Sequence, residues 1–412
     1  MKVDKSRFYK LENFRLNCIL KRPIFINKEL FYFVMEFEKR FELIKRNTEE
    51  ILGEDELKEN LKNNEKIKHY IGFEISGKIH LGTGLMCMSK VKDFLDAGID
   101  CSIFLADWHT WINDKLGGDL EAIKKVAVGY FKEGMKASLK CVGGDPAKLK
   151  FVLGSELYHN NDLYWLDVLE ISKHTSLSRM MRSITIAGRK EGGSVDFAKL
   201  IYPPMQVADI FIQNINMPHA GIDQRKAQVI ARDVAMKLSF NPLKNSKGKK
   251  IKPMAVHHSL ILGLGKPPIW PIKKEEFKDM LSELKMSKSK PDSCIFIHDS
   301  EEEIKRKVNK AFCMEKEIEY NPLLDWAKKL IFPIQKELEI RRPEKFGGDI
   351  KYGNYIDLEK DFEKGNVHPI DLKNSISESL IRILKPARDH FSKGDAKKML
   401  EELEEMINLI SK

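Results

Sequence analysis

One segment near the start of the chain combines residue types that could bind a phosphate group. It reads Gly72-Phe-Glu-Ile-Ser-Gly77-Lys78-Ile79-His80-Leu-Gly82-Thr83. Gly72 and Gly77-Lys78 have the spacing of a P-loop, but a P-loop requires Ser or Thr where this chain has Ile79. His80 and Thr83 stand where a helix is predicted to begin, and the free N–H groups of a helix start favour an anion. Taken alone, the segment fits a phosphate site and a helix-capping histidine equally well.

A second segment, about 200 residues later, offers three ammonium groups and two hydroxyls. Its sequence is Lys285-Met286-Ser287-Lys288-Ser289-Lys290. Such a run is usually a solvated loop, but as a flexible clamp it could bind a leaving pyrophosphate.

The elements that must position these segments alternate between strand and helix. Short apolar runs near residues 68–74, 101–107, 151–154 and 253–262 read as strands, and helices of 10–20 residues lie between most of them. This alternation predicts a parallel sheet with crossover helices. Residues 37–64 have helical spacing, and the chain after Asp299 is predicted to be helical to its end, beginning with a capping box at Ser300 and Glu303.

Composition narrows the class of protein. The chain has 412 residues, of which 42% are hydrophobic and 32% charged, and its net charge is +10. These values exclude a disordered or fibrous chain. Apolar runs are too short for a membrane span and no signal peptide is visible, which predicts a soluble cytoplasmic protein. The six cysteines are scattered, which predicts reduced, mostly buried thiols and no zinc site.

The first 28 residues are strongly basic, with eight Lys and Arg against Asp4 and Glu12. This segment could be an arm that contacts RNA, or an extension ahead of the folded region.

The His80 turn and the Lys285 loop together resemble the two signatures of the class I aminoacyl-tRNA synthetases. Over about residues 36–392, the sequence is similar to the archaeal and eukaryotic tyrosyl-tRNA synthetases. The matching segments are Tyr70-Ile-Gly-Phe-Glu74, Leu105-Ala-Asp-Trp-His109, Ile201-Tyr202-Pro-Pro-Met-Gln206-Val-Ala-Asp209, Gly221-Ile-Asp223-Gln224-Arg225-Lys226, Arg342-Pro-Glu-Lys-Phe346-Gly-Gly-Asp349 and His368-Pro-Ile-Asp371-Leu-Lys373.

The resemblance implies a Rossmann-like α/β catalytic domain with a parallel sheet, followed by an all-α anticodon-binding domain. The expected boundaries are a basic extension at 1–34, the catalytic domain at 35–284, a loop and linker at 285–298, and the helical domain at 299–412. The implied enzyme is a tyrosine–tRNA ligase. It activates tyrosine with ATP and Mg²⁺ to tyrosyl-adenylate, transfers the tyrosyl group to the 3′ end of tRNA(Tyr), and forms a homodimer through the catalytic domain.

The resemblance also implies roles for individual residues. Tyr70 and Asp209 bind the phenol of tyrosine, for which a tyrosine hydroxyl and an ionised carboxylate supply one donor and one acceptor. The residues expected at the ammonium end of tyrosine are Tyr202, Gln206 and Gln224, with Glu74 nearby. Those expected to bind ATP are Gly72, His80, Gly221, Asp223, Met286, Ser287, Lys288 and Ser289. Transition-state contacts are expected from His80, Thr83, Lys285 and Lys288, and tRNA contacts from Arg225, Lys226, Phe346, His368 and Asp371.

Some features depart from the family pattern and leave rival functions open. Thr83 replaces a second histidine, Ala208 stands where some relatives have Asn, and residues 239–252 and 265–284 look like insertions. A tryptophanyl-tRNA synthetase shares the signatures, but indole has no hydroxyl for Tyr70 and Asp209 to bind. A catalytically weakened RNA-binding paralogue and an adenylating enzyme that ignores tRNA also stay open.

Overall fold

The structure is a computed structural model that describes residues 28–188, 196–271, 284–288 and 290–410, with side chains from Glu36 onward. Three sequence predictions therefore fall wholly or largely outside the described residues: the basic arm predicted over the first 28 residues, of which 27 are not described, most of the insertion predicted at 265–284, and the role of Ser289.

A six-stranded sheet lies at the centre of the N-terminal two thirds, in the order β1-β6-β5-β2-β3-β4. Five of its strands are parallel, as predicted, and β1 at one edge runs antiparallel to β6. The strands are β1 Thr48–Leu52, β2 Lys68–Phe73, β3 Asp100–Leu105, β4 Lys150–Leu153, β5 Met217–Gly221 and β6 Ala255–His258.

Helices connect these strands and cover the sheet. They are α1 Lys28–Lys45, α2 Glu54–Lys62, α3 Cys87–Asp96, α4 Asp107–Ile112, α5 Leu120–Val126, α6 Lys132–Cys141, α7 Gly154–Tyr158, α8 Asp162–Lys173, α9 Leu177–Ser183, α10 Phe197–Ile212 and α11 Arg225–Val234. A π-helical turn, Gly82–Met86, runs directly into α3. Helix α3 buries Val91 and Phe94 and is followed by Gly98, whose φ of 74° is a conformation that glycine adopts readily.

The C-terminal third is helical, as expected, with Ser300 capping its first helix through the backbone N–H of Glu303. Its helices are α12 Glu301–Asn309, α13 Pro322–Trp326, α14 Phe332–Gln335, α15 Tyr355–Lys364, α16 Pro369–Phe391 and α17 Gly394–Ile410. One small antiparallel sheet, β7 Leu338–Ile340 with β8 Ile350–Tyr352, interrupts them, which the expectation of an all-α region did not include.

The helical prediction for residues 37–64 was wrong in one place. After α1 the chain turns at Asn47, whose φ is 57°, and forms the edge strand β1 before α2 begins. Apolar residues recur at helical spacing in the helices on both sides of this five-residue strand. The strand is too short to interrupt that pattern in the sequence.

One apolar core extends from the central sheet into the C-terminal helices. It includes Leu85 and Ile103 from the α/β region together with Trp326, Leu380 and Leu403 from the C-terminal region. The predicted domain boundaries stay predictions, because no break in this core marks them among the described residues.

Four described cysteines are buried and a fifth is half-buried, none of them in a disulfide, which fits the expected reduced thiols. Among the described residues, no helix is long and apolar enough to cross a membrane.

Candidate active site

The sheet has a switch point between β2 and β5, and the predicted site residues gather there. The chain proceeds outward from β2 to β3 and β4 on one side, whereas β5 and β6 lie on the other. Strands β2 and β5 pair only at His69–Met217 and Tyr70–Pro218. Their carboxyl ends therefore border a crevice, which is where ligands bind in open α/β sheets.

A buried polar pocket lies beside this crevice, formed around Tyr70 of β2 and Asp209 of α10. The Asp209 side chain is 1% exposed and accepts a hydrogen bond from the Tyr158 hydroxyl at 2.9 Å. His109 Nε2 lies 3.7 Å from the other carboxylate oxygen. Tyr70 is also buried, with its hydroxyl 3.5 Å from the Gln206 carbonyl oxygen. These groups can surround a small polar aromatic group.

The surroundings of Asp209 alter its pKa. Burial raises the pKa of Asp209 well above its usual range, and the hydrogen bond from Tyr158 offsets only part of that effect. Burial also lowers the pKa of His109 to about 3, so its imidazole is neutral and gives Asp209 no ionic partner. The pKa of Asp209 is therefore higher than that of an exposed aspartate. The ionised carboxylate expected from the sequence stays a prediction.

A second group of polar side chains lies between α10, the end of β2 and the turn after β5. Glu74 Oε1 accepts hydrogen bonds from the Tyr202 hydroxyl and from Asn113 Nδ2, both at 2.9 Å. Gln206 Nε2 donates to Gln224 Oε1 at 3.3 Å. Gln206 Oε1 is buried and has no hydrogen-bond partner among the described residues, so it is available to a ligand.

His80 both caps the helix start and faces the crevice, so the two interpretations of this histidine are compatible. Its Nδ1 accepts from the backbone N–H of Gly82 at 3.1 Å, which places the ring proton on Nε2, 3.2 Å from Thr83 Oγ1. Burial lowers the pKa of His80 to about 3, and the nearby Lys288 and Lys285 ammonium groups contribute. His80 is therefore a neutral donor in a fixed tautomer.

The Lys285 loop closes over the same crevice. Lys285 Nζ forms an ion pair with Asp223 at 2.7 Å, and Lys288 Nζ donates to Ser76 Oγ in the His80 turn. Met286 is buried, and its backbone N–H donates to the Ile261 carbonyl at 2.9 Å. Burial lowers the pKa of Lys288 to about 8, while the Glu74 carboxylate acts in the opposite direction. The two sequence signatures thus meet in space.

Gly72 and Gly221 lie at the carboxyl ends of β2 and β5, on the two sides of the crevice. A Cβ at Gly221 would stand only 2.6 Å from Asp223 Oδ1, so a larger residue would displace that carboxylate. Ser287 lies within the loop between Lys285 and Lys288.

Arg225 and Lys226 lie at the start of α11, beside a separate basic cavity. Arg225 makes a two-point ion pair with Glu50 of β1, with N···O distances of 2.6 and 2.9 Å. Lys226 Nζ donates to the Arg182 carbonyl at 2.8 Å. The cavity has a volume of about 190 Å³ and is lined by Arg179, Arg182, Ser183, Arg225, Lys226, Val229 and Ile230. Its charge suits an anion.

Phe346, His368 and Asp371 lie in the C-terminal region, apart from the crevice residues in the fold. The Phe346 ring is 63% exposed, so it is free to stack on a planar group. His368 is the N-cap of α16, with Nδ1 accepting from the Ile370 N–H at 3.2 Å. Asp371 lies in the first turn of α16.

Sequence reasoning gave no role to several groups that shape the site, namely Tyr158, His109, Asn113 and Ser76, although His109 belongs to a matching segment. Tyr158 and His109 follow the carboxyl ends of β4 and β3, so their place after parallel strands was a usable signal. Nothing local marks Asn113, because its role depends on the fold bringing it to Glu74.

Comparison with known proteins gives concordant matches over most of the chain. Residues 62–385 match the family described as tRNA synthetases class I (W and Y). The tyrosine–tRNA ligase of Thermococcus sibiricus is 59% identical over 362 residues, which are 87% of this chain and 96% of that protein. The tyrosyl-tRNA synthetase of Pyrococcus horikoshii, crystallised with L-tyrosine, superposes with a TM-score of 0.86 at 53% identity, covering 90% of this chain and 99% of that chain.

More distant structures share the same fold. The tyrosyl-tRNA synthetase of Aeropyrum pernix superposes with a TM-score of 0.74 at 38% identity, over 90% of this chain and 99% of that one. A tryptophanyl-tRNA synthetase from Aeropyrum pernix is 17% identical with a TM-score of 0.63, covering 90% of this chain and 91% of that chain, which shows a common fold.

Proposed function

The chain belongs to the class I tRNA synthetases of the tryptophan and tyrosine group, and from that membership we propose how its residues bind tyrosine, ATP and tRNA. The enzyme is an aminoacyl-tRNA ligase that joins tyrosine to tRNA, with ATP as its second substrate. The residue assignments rest on one observation. The buried Asp209 pocket, the His80 turn and the Lys288 loop meet at the switch point between β2 and β5.

Tyrosine binds with its phenol between Tyr70 and Asp209. Asp209 and the Tyr70 hydroxyl supply an acceptor and a donor to the substrate hydroxyl, while Tyr158 fixes the Asp209 carboxyl. Phenylalanine would leave these buried groups unpaired. The standard example of that penalty, a discrimination of about 10⁵-fold, was established in this same enzyme class and is not a value obtained for this chain.

The ammonium end of tyrosine lies toward Tyr202, Gln206 and Gln224, with Glu74 nearby. The unpaired Gln206 Oε1 is an acceptor for that ammonium group. Glu74 accepts hydrogen bonds from Tyr202 and Asn113, and these bonds fix the positions of both neighbours. Its carboxylate also adds negative charge at the ammonium end of tyrosine.

ATP lies across the carboxyl ends of β2 and β5. Gly72 and Gly221 allow ATP to approach the backbone closely. Asp223 accepts hydrogen bonds from the ribose hydroxyls, which replace its ion pair with Lys285. Met286, Ser287 and Lys288, with Ser289 outside the described residues, complete the site. Mg²⁺ enters with the ATP phosphates as part of the substrate, since Mg²⁺ commonly binds through substrate phosphates and water. No cluster of three metal-ligating side chains occurs among the described residues.

The tyrosine carboxylate attacks the α-phosphate and pyrophosphate leaves, so no protein nucleophile is needed. Negative charge moves onto the phosphate oxygens as the bond to the leaving group breaks. His80 Nε2, Thr83 Oγ1 and the Lys285 and Lys288 ammonium groups are donors and charges placed to stabilise it. The terminal ribose hydroxyl of tRNA then attacks the activated carbonyl and AMP leaves.

The tRNA contacts we propose use two separate regions. Arg225 and Lys226 contact the acceptor end, where the basic cavity provides the charge. Phe346 and His368 stack on an unpaired anticodon base and Asp371 binds its edge, the usual way to recognise single-stranded RNA. This assignment makes the catalytic domain 35–284, the loop and linker 285–298, and the anticodon-binding domain 299–412.

The enzyme is a cytoplasmic homodimer in this proposal. Helix α8 exposes Leu163, Trp165, Leu166 and Leu169 together, an apolar face that a second copy would cover.

Amino-acid-dependent exchange of pyrophosphate into ATP tests the proposal, with tyrosine, phenylalanine and tryptophan compared. We expect exchange with tyrosine only. Asp209→Ala should lower kcat/KM for tyrosine about 100-fold, equivalent to ~3 kcal/mol, because the phenol loses its buried partner. The exposed Asp96→Ala is the matched control. Exchange with tryptophan, or an Asp209→Ala enzyme that keeps full activity, would contradict the phenol assignment.

A further inference from the structure

The C-terminal helix α17 contacts the His80 turn and a second turn, Lys115–Gly118, although it belongs to the far end of the chain. Its Glu404 Oε1 pairs with Lys78 Nζ at 2.5 Å, and its Ile407 faces Gly77. Its Ile410 faces Gly117 in the second turn, where a Cβ would lie 3.3 Å away. We propose that α17 is a positioning element of the ATP site, which holds the His80 turn in its active geometry. This inference rests on the proposed function.

The surroundings of Gly77 connect α17 to the catalytic loop. Gly77 has a φ of 115°, a conformation that only glycine adopts readily. A Cβ built on it would stand 3.7 Å from Ile407 Cδ1 and 3.8 Å from Lys288 Cδ. Ile407 of α17 and the proposed catalytic Lys288 thus border the same glycine of the turn.

The backbone next to His80 is also held from the C-terminal half of the chain. The Ile79 carbonyl accepts from the Ile297 N–H at 3.0 Å, and the Leu81 N–H donates to the Ile295 carbonyl at 3.0 Å. Within this arrangement, the Lys78 ammonium group also lies 5.6 Å from the centre of the Phe296 ring. Glu404 therefore fixes the one cationic side chain between Gly77 and His80.

Helix α17 is itself firmly anchored. Leu403 is 1% exposed and belongs to the main core, so the helix is fixed on one face. Glu402 also pairs with Lys125 at 2.9 Å, but both side chains are more than half exposed, so this pair adds little to the anchoring. The second turn carries Lys115, whose charge acts on both Glu74 and Lys288. Through Ile407 and Ile410, one rigid element therefore sets the spacing of the two turns.

Paired variants in the full-length chain separate positioning from general stability. Ile407→Ala removes the contact at Gly77, and Leu409→Ala removes an exposed side chain of the same helix as its control. Glu404→Gln removes the charge that pairs with Lys78, and Glu402→Gln removes the neighbouring ion pair as its control. Each is assayed by tyrosine-dependent pyrophosphate exchange and by thermal unfolding.

We expect Ile407→Ala to lower kcat about tenfold, because small displacements of catalytic groups are costly. Glu404→Gln should lower it about threefold, since this ion pair is partly exposed. In both, the KM for tyrosine should stay within about twofold of wild type, and both controls should resemble wild type. The double variant Lys78→Glu with Glu404→Lys should recover most of the activity lost in Glu404→Gln.

The results that overturn the inference are distinct from those that overturn the function. If Ile407→Ala and Glu404→Gln match their controls in kcat while wild type is active, α17 has no positioning role. A fall in kcat that is accompanied by an equal rise in the KM for tyrosine and a lower melting temperature means general destabilisation, and also refutes it. Absence of exchange in the unsubstituted enzyme refutes the proposed function and this inference together.

Discussion

Lys288 is a proposed catalytic residue whose charge changes close to neutral pH. Its pKa is lowered to about 8 because it is buried, although Glu74 opposes that shift. Below about pH 8 the ammonium group is charged and can attract the ATP phosphates. Above that pH it loses its proton and the attraction. His80 is already neutral, with its pKa lowered to about 3, so it adds no second titration near neutrality.

We therefore expect kcat/KM for ATP to fall as the pH rises through about 8, since this ratio reports groups of the free enzyme. Pyrophosphate exchange measured from about pH 6 to about pH 10 checks the prediction. In Lys288→Arg the guanidinium stays charged throughout this range, so its profile should be flat even if its activity is lower. A decline near pH 8 that persists in Lys288→Arg would assign the titration to another group.

At the residue scale, most of the predicted site residues came from recognised sequence motifs. His80, Thr83, Lys285 and Lys288 could be placed together because their spacing resembles two signatures, and the structure brings them to one crevice. The raised pKa of Asp209 could not be predicted, because it depends on burial and on Tyr158, which reaches the pocket from α7. Charge state is a property of the folded surroundings and not of the residue type.

At the scale of elements, alternating apolar periods predicted the parallel strands but not the edges of the fold. Strand β3 is almost wholly buried and reads as a continuous apolar run. The edge strand β1, Thr-Glu-Glu-Ile-Leu, contains two adjacent glutamates. Its mixture of charged and apolar residues therefore resembles that of the helices on either side. The same holds for β7 and β8, whose three residues each are too few to show a period.

Helix α16 begins at a residue that we propose has two functions. His368 accepts the Ile370 N–H as the N-cap of α16, and its ring is assigned to stack on an anticodon base. Asn is among the best N-cap residues, so His368→Asn keeps the cap and removes the ring. We expect its melting temperature to stay unchanged and its KM for tRNA to rise about tenfold, within the ~1–3 kcal/mol of one base-stacking contact.

Aminoacylation kinetics and thermal unfolding of the same samples make this measurement. His368→Ala loses both functions and should lower the free energy of unfolding by about 1 kcal/mol as well. Tyrosine-dependent pyrophosphate exchange needs no tRNA and should not change in either variant. An unchanged KM for tRNA in His368→Asn would leave His368 as a helix cap alone.

At the scale of the whole molecule, the long-range contacts are what the sequence could not supply. The core runs from Phe41 to Leu403, and the Lys78–Glu404 pair joins residues 326 positions apart. Periodicity describes each helix separately and says nothing about which turn the last helix will contact. No role for α17 could consequently be inferred from the sequence, whereas the structure places this helix against the His80 turn.

The apolar face of α8 indicates how two copies of the chain would associate. Leu166 and Leu169 are exposed at 39% and 62%, and Leu163 and Trp165 beside them are exposed as well. A contiguous apolar surface of this kind is costly to leave in water, and covering it with the same face of a second copy would form a two-fold interface. The proposed homodimer therefore depends on α8. A charged residue buried there without a partner would weaken it strongly.

Light scattering on the eluting protein should give twice the chain mass for wild type and the single-chain mass for Leu169→Asp. Ile356→Asp is the matched control, because it places the same charge at a similarly exposed aliphatic residue of α15 and should stay dimeric. The Asp209 pocket lies between α10 and Tyr158 in the same region, and α8 closely follows Tyr158 in the chain. Loss of the partner should therefore also raise the KM for tyrosine. A dimeric Leu169→Asp, or a wild type of single-chain mass, would show that α8 is not the interface.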